Sequence, residues 1–194
     1  MALAYTGLKV ELREISLKSR PKELSQVSSK ATVPVLITND NLVIDESLEI
    51  MLWALNNNSD QTWLSNDSRK ELEMINMNDT LFKKWLDRYK YHDRYPKKSK
   101  AFYRENCCEI LNDYENQLNE TKYFLYNEIN IVDIAIFPFI RQFANVDYKW
   151  FENNYTHLTN WLKNISSSDL FKSIMEKYNT WNEKDEPRII NFNN

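Results

Sequence analysis

The chain has 194 residues, a mass of 23.3 kDa and a formal charge of −3. Apolar residues make up 42%, including six Trp, nine Phe and eleven Tyr, so a packed globule is expected and disorder is not. A single glycine excludes a Gly-cradled phosphate loop, and the bulk charge gives no electrostatic case for nucleic acid or an anionic membrane as partner.

With five prolines and one glycine, turns fall to asparagine, which tolerates left-handed backbone. A largely helical chain follows. The longest apolar run, Ile134 to Ile140, is bounded by Asp133 and Arg141 and is too short to span a membrane. The first ten residues carry no legible secretory signal, and the two cysteines are neighbours, which reads as cytoplasmic.

The chain opens on helix-forming residues, Ala2 to Tyr5, followed by the lone Gly7 where a helix C-terminus accepts positive φ. Leu8 and Leu3 are placed to complete a Schellman stop. One turn cannot nucleate a helix usefully, so the chain reads as starting inside one. Lys9 to Leu17 reads as a strand with an irregular end, through Val10 and Leu12 and then Ile15 and Leu17. A short helix or turn is expected from Pro21 to Val27. Val33 to Ile37 and Leu42 to Ile44 are short β runs joined by a Thr-Asn-Asp-Asn turn. A helix from about Glu46 to Leu55 follows Asp45.

The polar stretch 57–67 is the best linker, and no strand pattern follows it. Stripes through Leu72, Ile75, Phe82, Leu86 and Tyr89, and through Cys107, Leu111, Tyr114 and Leu118, predict two long antiparallel helices. Residues 130–144 are apolar almost all round and predict a buried helix. Its start carries a capping box, Asn130 with Asp133, and a hydrophobic staple, Ile129 with Ile134. Two shorter helices are expected around Tyr155 to Leu162 and Leu170 to Tyr178, then an extended tail over 179–194.

The order α, β, α, β, β, α followed by an all-helical bundle, across the whole chain, resembles the glutathione transferases. Val33-Pro34 stands where that family begins a strand with a cis-proline pair. Glu46-Ser47 stands at the family's Glu/Gln-Ser helix start, and Asn130 to Asp133 replaces its S/T-x-x-D box with an Asn-led one. The stretch Ile15 to Leu36 looks most like omega-type and related bacterial members. The resemblance implies an α/β thioredoxin-like N-terminal portion, truncated, plus an all-α C-terminal bundle. The expected division is 1–56, linker 57–67, helical domain 68–178 and tail 179–194.

For function the resemblance implies glutathione as co-substrate and a small electrophile or disulfide as second substrate; the alternative is a non-enzymatic scaffold on the same fold. Ser47, with a hydroxyl and an amide near a helix N-terminus, suits the γ-glutamyl carboxylate, and Glu46 suits its ammonium. Val33, turned outward by a cis Pro34, offers backbone hydrogen bonds to the cysteinyl residue. Arg20, helped by Lys18, is placed for the glycyl carboxylate, where a guanidinium fits a planar anion better than an ammonium does. Tyr89, Tyr91 and His92 are the second-substrate candidates.

The family's catalytic Cys, Ser or Tyr lies before Met1 on this reading, within a missing segment of roughly 15 to 20 residues that includes a central strand. Loss of that strand would orphan backbone groups on both its neighbours. Cys107 and Cys108 lack CxxC spacing and read as packing thiols. His92 and His157 stand alone, so no metal is expected. The basic, aromatic segment Lys83 to Arg104 admits a nucleic-acid reading. The preferred reading is a helix end, a Pro96-marked turn and a helix start, with Trp85 and Tyr89 packed and the lysines solvated. The expected partners are therefore small molecules, with neither nucleic acid nor membrane, and a homodimer is left open.

Overall fold

The computed structural model describes residues 1–59, 61–65 and 68–191. Two compact units emerge, one made of Met1–Gln61 with Asp169–Asn194, the other of Thr62–Ser168. The expected linker boundary at 57–67 thus falls near its middle, although Asp60, Asn66 and Asp67 lie outside the described residues. The segment from Asp169 onward, expected as the end of the helical domain to 178 and an extended tail over 179–194, groups with the first unit.

In the first unit, α1 (Ala2–Tyr5) ends as its sequence encodes. Gly7 takes φ 67°, its N–H donates to Ala4 O at 3.2 Å, and the Leu8 N–H donates to Leu3 O at 3.2 Å, which is the Schellman pair. Strand β1 is only Val10–Glu11, much shorter than the expected 9–17. Its far end folds into a tight turn, where the Ser19 N–H donates to Ser16 O at 3.1 Å, and this consumes the residues whose phase shift blurred the strand pattern.

The edge of β1 is taken by the tail: β4 (Ile189–Ile190) pairs with it antiparallel, Val10 opposite Ile190 and Glu11 opposite Ile189. The contact continues as the Leu12 N–H donates to Arg188 O at 2.8 Å and the Trp181 N–H to Glu14 O at 2.7 Å, with the Arg13 guanidinium 4.9 Å from the Trp181 ring centre. This edge of β1 therefore has its backbone groups paired by residues 188–190.

Helix α2 covers Lys22–Val27. Strands β2 (Leu36–Ile37) and β3 (Val43–Ile44) form the expected hairpin, with Leu36 opposite Ile44. Asn41 supplies the left-handed turn residue at φ 64°, and Thr38 closes the turn, its Oγ1 accepting the Leu42 N–H at 3.0 Å. Pro34 has no N–H to give, so pairing starts beyond it. Among the described residues β1 and β2 belong to separate two-stranded sheets. Helix α3 (Ser47–Asn56) buries Ile50, Ala54 and Leu55.

The second unit is all helical among its described residues. Helix α4 (Arg69–Met77) runs through a π-turn, Asn78–Phe82, into α5 (Lys83–Lys90), so the first expected long helix is one path with a wide turn inside it. A 3₁₀ turn, His92–Arg94, leads to α6 (Lys100–Glu120), capped by the Ser99 hydroxyl. Helix α7 (Ile131–Ala144) is the buried one: Val132, Ile136 and Ile140 have no exposed surface. The box at its start is formed, the Asn130 Oδ1 accepting the Val132 N–H at 2.9 Å and the Asp133 Oδ2 accepting the Asn130 N–H at 3.0 Å.

Helix α8 (Tyr148–Asn154) was not expected, although its cap, Asp147, is legible beside the Trp150-Phe151 pair. Helix α9 (Thr156–Ser167) has no cap of its own; Glu115 of α6 supplies one, accepting the His157 and Leu158 N–H groups at 2.8 Å each. An aromatic chain, Tyr114 to Phe124 to Trp161 with ring centres 5.0 Å apart at each step, fills the centre. The last expected helix is α10 (Asp169–Ser173), five residues long and in the first unit.

Candidate functional site

The five sequence-selected residues of the first unit, Arg20, Val33, Pro34, Glu46 and Ser47, are all exposed. One tight turn ties them together. Ala31, at φ 47°, is held by its N–H to Ser28 O at 3.0 Å, and its own carbonyl accepts from Arg20 Nη1 at 2.7 Å. The neighbouring Lys30 reaches the start of α3, with Nζ 3.0 Å from Asp45 Oδ1 and 2.5 Å from Glu46 Oε1. Two residues beyond Ala31 comes the cis Val33-Pro34 bond, with Val33 45% exposed.

Glu46 is the N-cap of α3, in extended conformation, and Ser47 is the first helical residue; the expected start at Glu46 moves by one. Among the described residues no side chain caps this end. The first amides of α3 and the Ser47 hydroxyl therefore face outward as donors for an anion, beside a carboxylate. That pairing of donors with an acid is the complement of an amino-acid head group. Arg20 spends one of its five N–H groups on Ala31 and keeps the rest of its fork for a carboxylate.

Sequence reasoning missed Ser28, Lys30 and Asp45. The Ser28 hydroxyl donates to Asp45 Oδ2 at 2.7 Å, which with Lys30 holds the Asp45 carboxyl below its ordinary value. The Lys30 ammonium is held charged by its hydrogen bond to Glu46 first and to Asp45 second. The signal was present in the sequence as the acidic pair Asp45-Glu46 directly before the helix. Its partner lay fifteen residues back, a distance no periodicity reports. Lys18 occupies the apex of the 16–19 turn and is exposed.

The second-unit candidates divide. Tyr89 is buried against Phe143, ring centres 5.0 Å apart, and burial raises its phenol. One edge of it lines a cavity of about 250 Å³ with Lys100, Arg104 and Asp147. Tyr91 is exposed, and His92 opens the 3₁₀ turn with Nε2 3.1 Å from Asp93 Oδ1. Asn130 and Asp133 are structural, locked in their box. Cys107 is buried and Cys108 half-buried, and burial pushes both thiols up, away from thiolate chemistry. Among the described residues no three His, Cys, Asp or Glu side chains are grouped to hold a metal, and no helix is long and apolar enough to cross a membrane.

Comparison with known proteins gives the fold a family. Residues 1–62 match the family model for the glutathione S-transferase N-terminal domain, and residues 78–177 match that for the C-terminal domain. No curated protein sequence matches. Among solved structures, the glutathione transferase URE2P6 from Phanerochaete chrysosporium, in complex with oxidized glutathione, aligns with a TM-score of 0.77 at 15% identity. That alignment covers 88% of this chain and 85% of the other. A glutathione transferase family member from Pseudomonas fluorescens, with two glutathione bound, aligns with a TM-score of 0.74 at 15% identity over 88% and 83%. The bacterial transferase BphK, solved as a ternary complex, gives 0.72 at 18% identity over 89% and 88%. With both domain models matched in order over most of its length, the chain belongs to the glutathione S-transferase family.

Proposed function

We propose that the chain binds glutathione on its first unit and serves its conjugation to, or thiol exchange with, a small electrophile or disulfide. The observation that carries the reading is the uncapped start of α3, where the outward Ser47 hydroxyl and amides stand beside the Glu46 carboxylate. The γ-glutamyl end of glutathione presents one carboxylate and one ammonium, and these donors and this acid meet both. Val33 offers exposed backbone for the cysteinyl residue in the manner of an added strand. Arg20 takes the glycyl carboxylate. The structures in complex with glutathione named above support the ligand.

The reacting atom is the glutathione sulfur: its proton leaves, and the thiolate either bonds to an electrophilic carbon as that carbon's leaving group departs with its electron pair, or bonds to one disulfide sulfur as the S–S bond breaks and the other sulfur leaves as thiolate. That step needs a group to hold the thiolate, and no residue of this site is proposed for it. Tyr91 and His92 are proposed to border the second substrate. The test is titration calorimetry with reduced glutathione. Arg20→Ala and Ser47→Ala should each weaken binding by about tenfold, as loss of a charge-assisted hydrogen bond would. Wild-type affinity in both variants would overturn the assignment of these residues.

A further inference from the structure

We propose that the helical hairpin 83–104 is a binding surface for single-stranded nucleic acid. This departs from the expectation drawn from bulk charge, and the reason is distribution. The segment holds nine Lys and Arg against Asp87 and Asp93, a net charge of +7 in a chain whose total is −3. The other 172 residues carry 16 basic against 26 acidic side chains. A modestly acidic protein therefore presents one strongly basic surface.

The structure shows how these cations are placed. Among the described residues only Lys83 has a carboxylate partner, Asp79 at 3.5 Å. The segment's own two acids are occupied elsewhere: Asp87 accepts the Tyr95 hydroxyl at 2.6 Å, and Asp93 faces His92. Aromatic rings hold the cations instead. Arg88 lies 5.0 Å from the Trp85 ring centre, Arg94 4.5 Å from Tyr91, Lys98 5.1 Å from Phe102 and Arg104 4.3 Å from Trp150. A ring face orients a cation without neutralising it, so the positive potential stays available.

The chemistry favours a flexible phosphate strand. The cations are spread along α5, the 3₁₀ turn, the loop that follows it and the first turns of α6, a bent path that no straight duplex groove follows. Exposed Tyr91 carries Lys90 and Arg94 over its ring, and a base stacking there would displace one of these cations toward the phosphates. A lipid surface fits less well. The one aliphatic side chain of α5, Leu86, is buried with Tyr89 in the bundle and is not presented to a bilayer.

The test is fluorescence anisotropy of the full chain with labelled 20-nucleotide oligo(U) and oligo(dT), in 50 to 200 mM salt. With about six phosphates engaged, affinity should fall on the order of 10²-fold across that range. Lys84→Glu/Arg88→Glu and Lys97→Glu/Lys98→Glu should each lose at least about tenfold at 50 mM salt, with an unchanged circular dichroism spectrum. Tyr91→Ala should weaken binding but leave the salt slope alone. Lys22→Glu/Lys177→Glu, the same charge change elsewhere, should bind as wild type. No binding at 50 mM salt, an affinity indifferent to salt, or doubles that bind as tightly as the control would overturn the proposal. So would preferential capture by vesicles of phosphatidylserine and phosphatidylcholine that oligo(U) cannot displace, which would assign the surface to a membrane.

Discussion

The Trp161 indole N–H donates to Asp133 Oδ1 at 2.7 Å, joining the second turn of α9 to the first turn of α7. The same oxygen accepts the Phe124 N–H at 3.0 Å, so one buried carboxylate fixes a helix start, a loop and a neighbouring helix. Trp161→Phe keeps most of the ring but removes a donor from a buried acid. Urea unfolding should show a loss of about 1.5 to 3 kcal/mol, and no loss would mean the bond contributes nothing.

Burial drives the Asp133 carboxyl up to about 7, against the hydrogen bonds that pull it down. Unfolded, the group titrates near 3.9. Between these values the native state holds a proton that the unfolded chain has released, so stability falls as pH rises from about 4 to about 7, by up to about 1.4 kcal/mol per pH unit. Asp133→Asn should flatten that part of the profile. Unfolding at pH 5, 6 and 8 decides it: equal slopes in variant and wild type would show that another group is responsible.

Glu115 caps a helix not its own, accepting both His157 and Leu158 N–H groups. Glu115→Ala leaves two amides of α9 unpaired and should cost about 1 to 2 kcal/mol. Glu115→Gln retains an acceptor and should recover part of it. If alanine and glutamine variants melt together with wild type, the cap is ornamental.

Glu71 is 1% exposed, and neither of its carboxylate oxygens has a hydrogen-bond partner among the described residues. Burial of an unpaired acid is costly, and a well-shaped apolar replacement is often neutral or stabilising. Glu71→Met should melt at or above the wild-type temperature. A loss of more than about 2 kcal/mol would reveal a partner for the acid in solution.

Lys30 binds the carboxylate proposed for the glutathione ammonium. The two cations then compete for Glu46, and Lys30→Ala should tighten glutathione binding a few-fold at low salt. Weaker binding would mean that Lys30 itself holds a ligand carboxylate.

Much of this was legible beforehand because its causes are local. Gly7 after a helical turn, the Asn41 turn and the Asn130 to Asp133 box each depend on residues within a few positions, and each forms. What escaped depends on distant partners. Lys30 meets Glu46 sixteen residues on, Glu115 meets His157 forty-two on, and the tail finds β1 across almost the whole chain. The short β1 was misread because alternation reports which residues suit a strand, while pairing decides how many form one. In the candidate site, Arg20, Glu46 and Ser47 could be singled out through the family resemblance, with residue types that suit the proposed roles. The turn at Ala31 that links them could not, since nothing in alanine announces a left-handed backbone.

The pairing of Val10 with Ile190 has a consequence for synthesis. The first unit is assembled from two separate stretches, residues 1–61 and 169–194, whereas the helical unit between them is one uninterrupted stretch. On the ribosome, residues 62–168 can fold as soon as they emerge, while β1 waits for a strand made after all of them. Until that strand is made the edge of β1 that it covers stays open, the interval in which an unpaired strand is most apt to find the wrong neighbour.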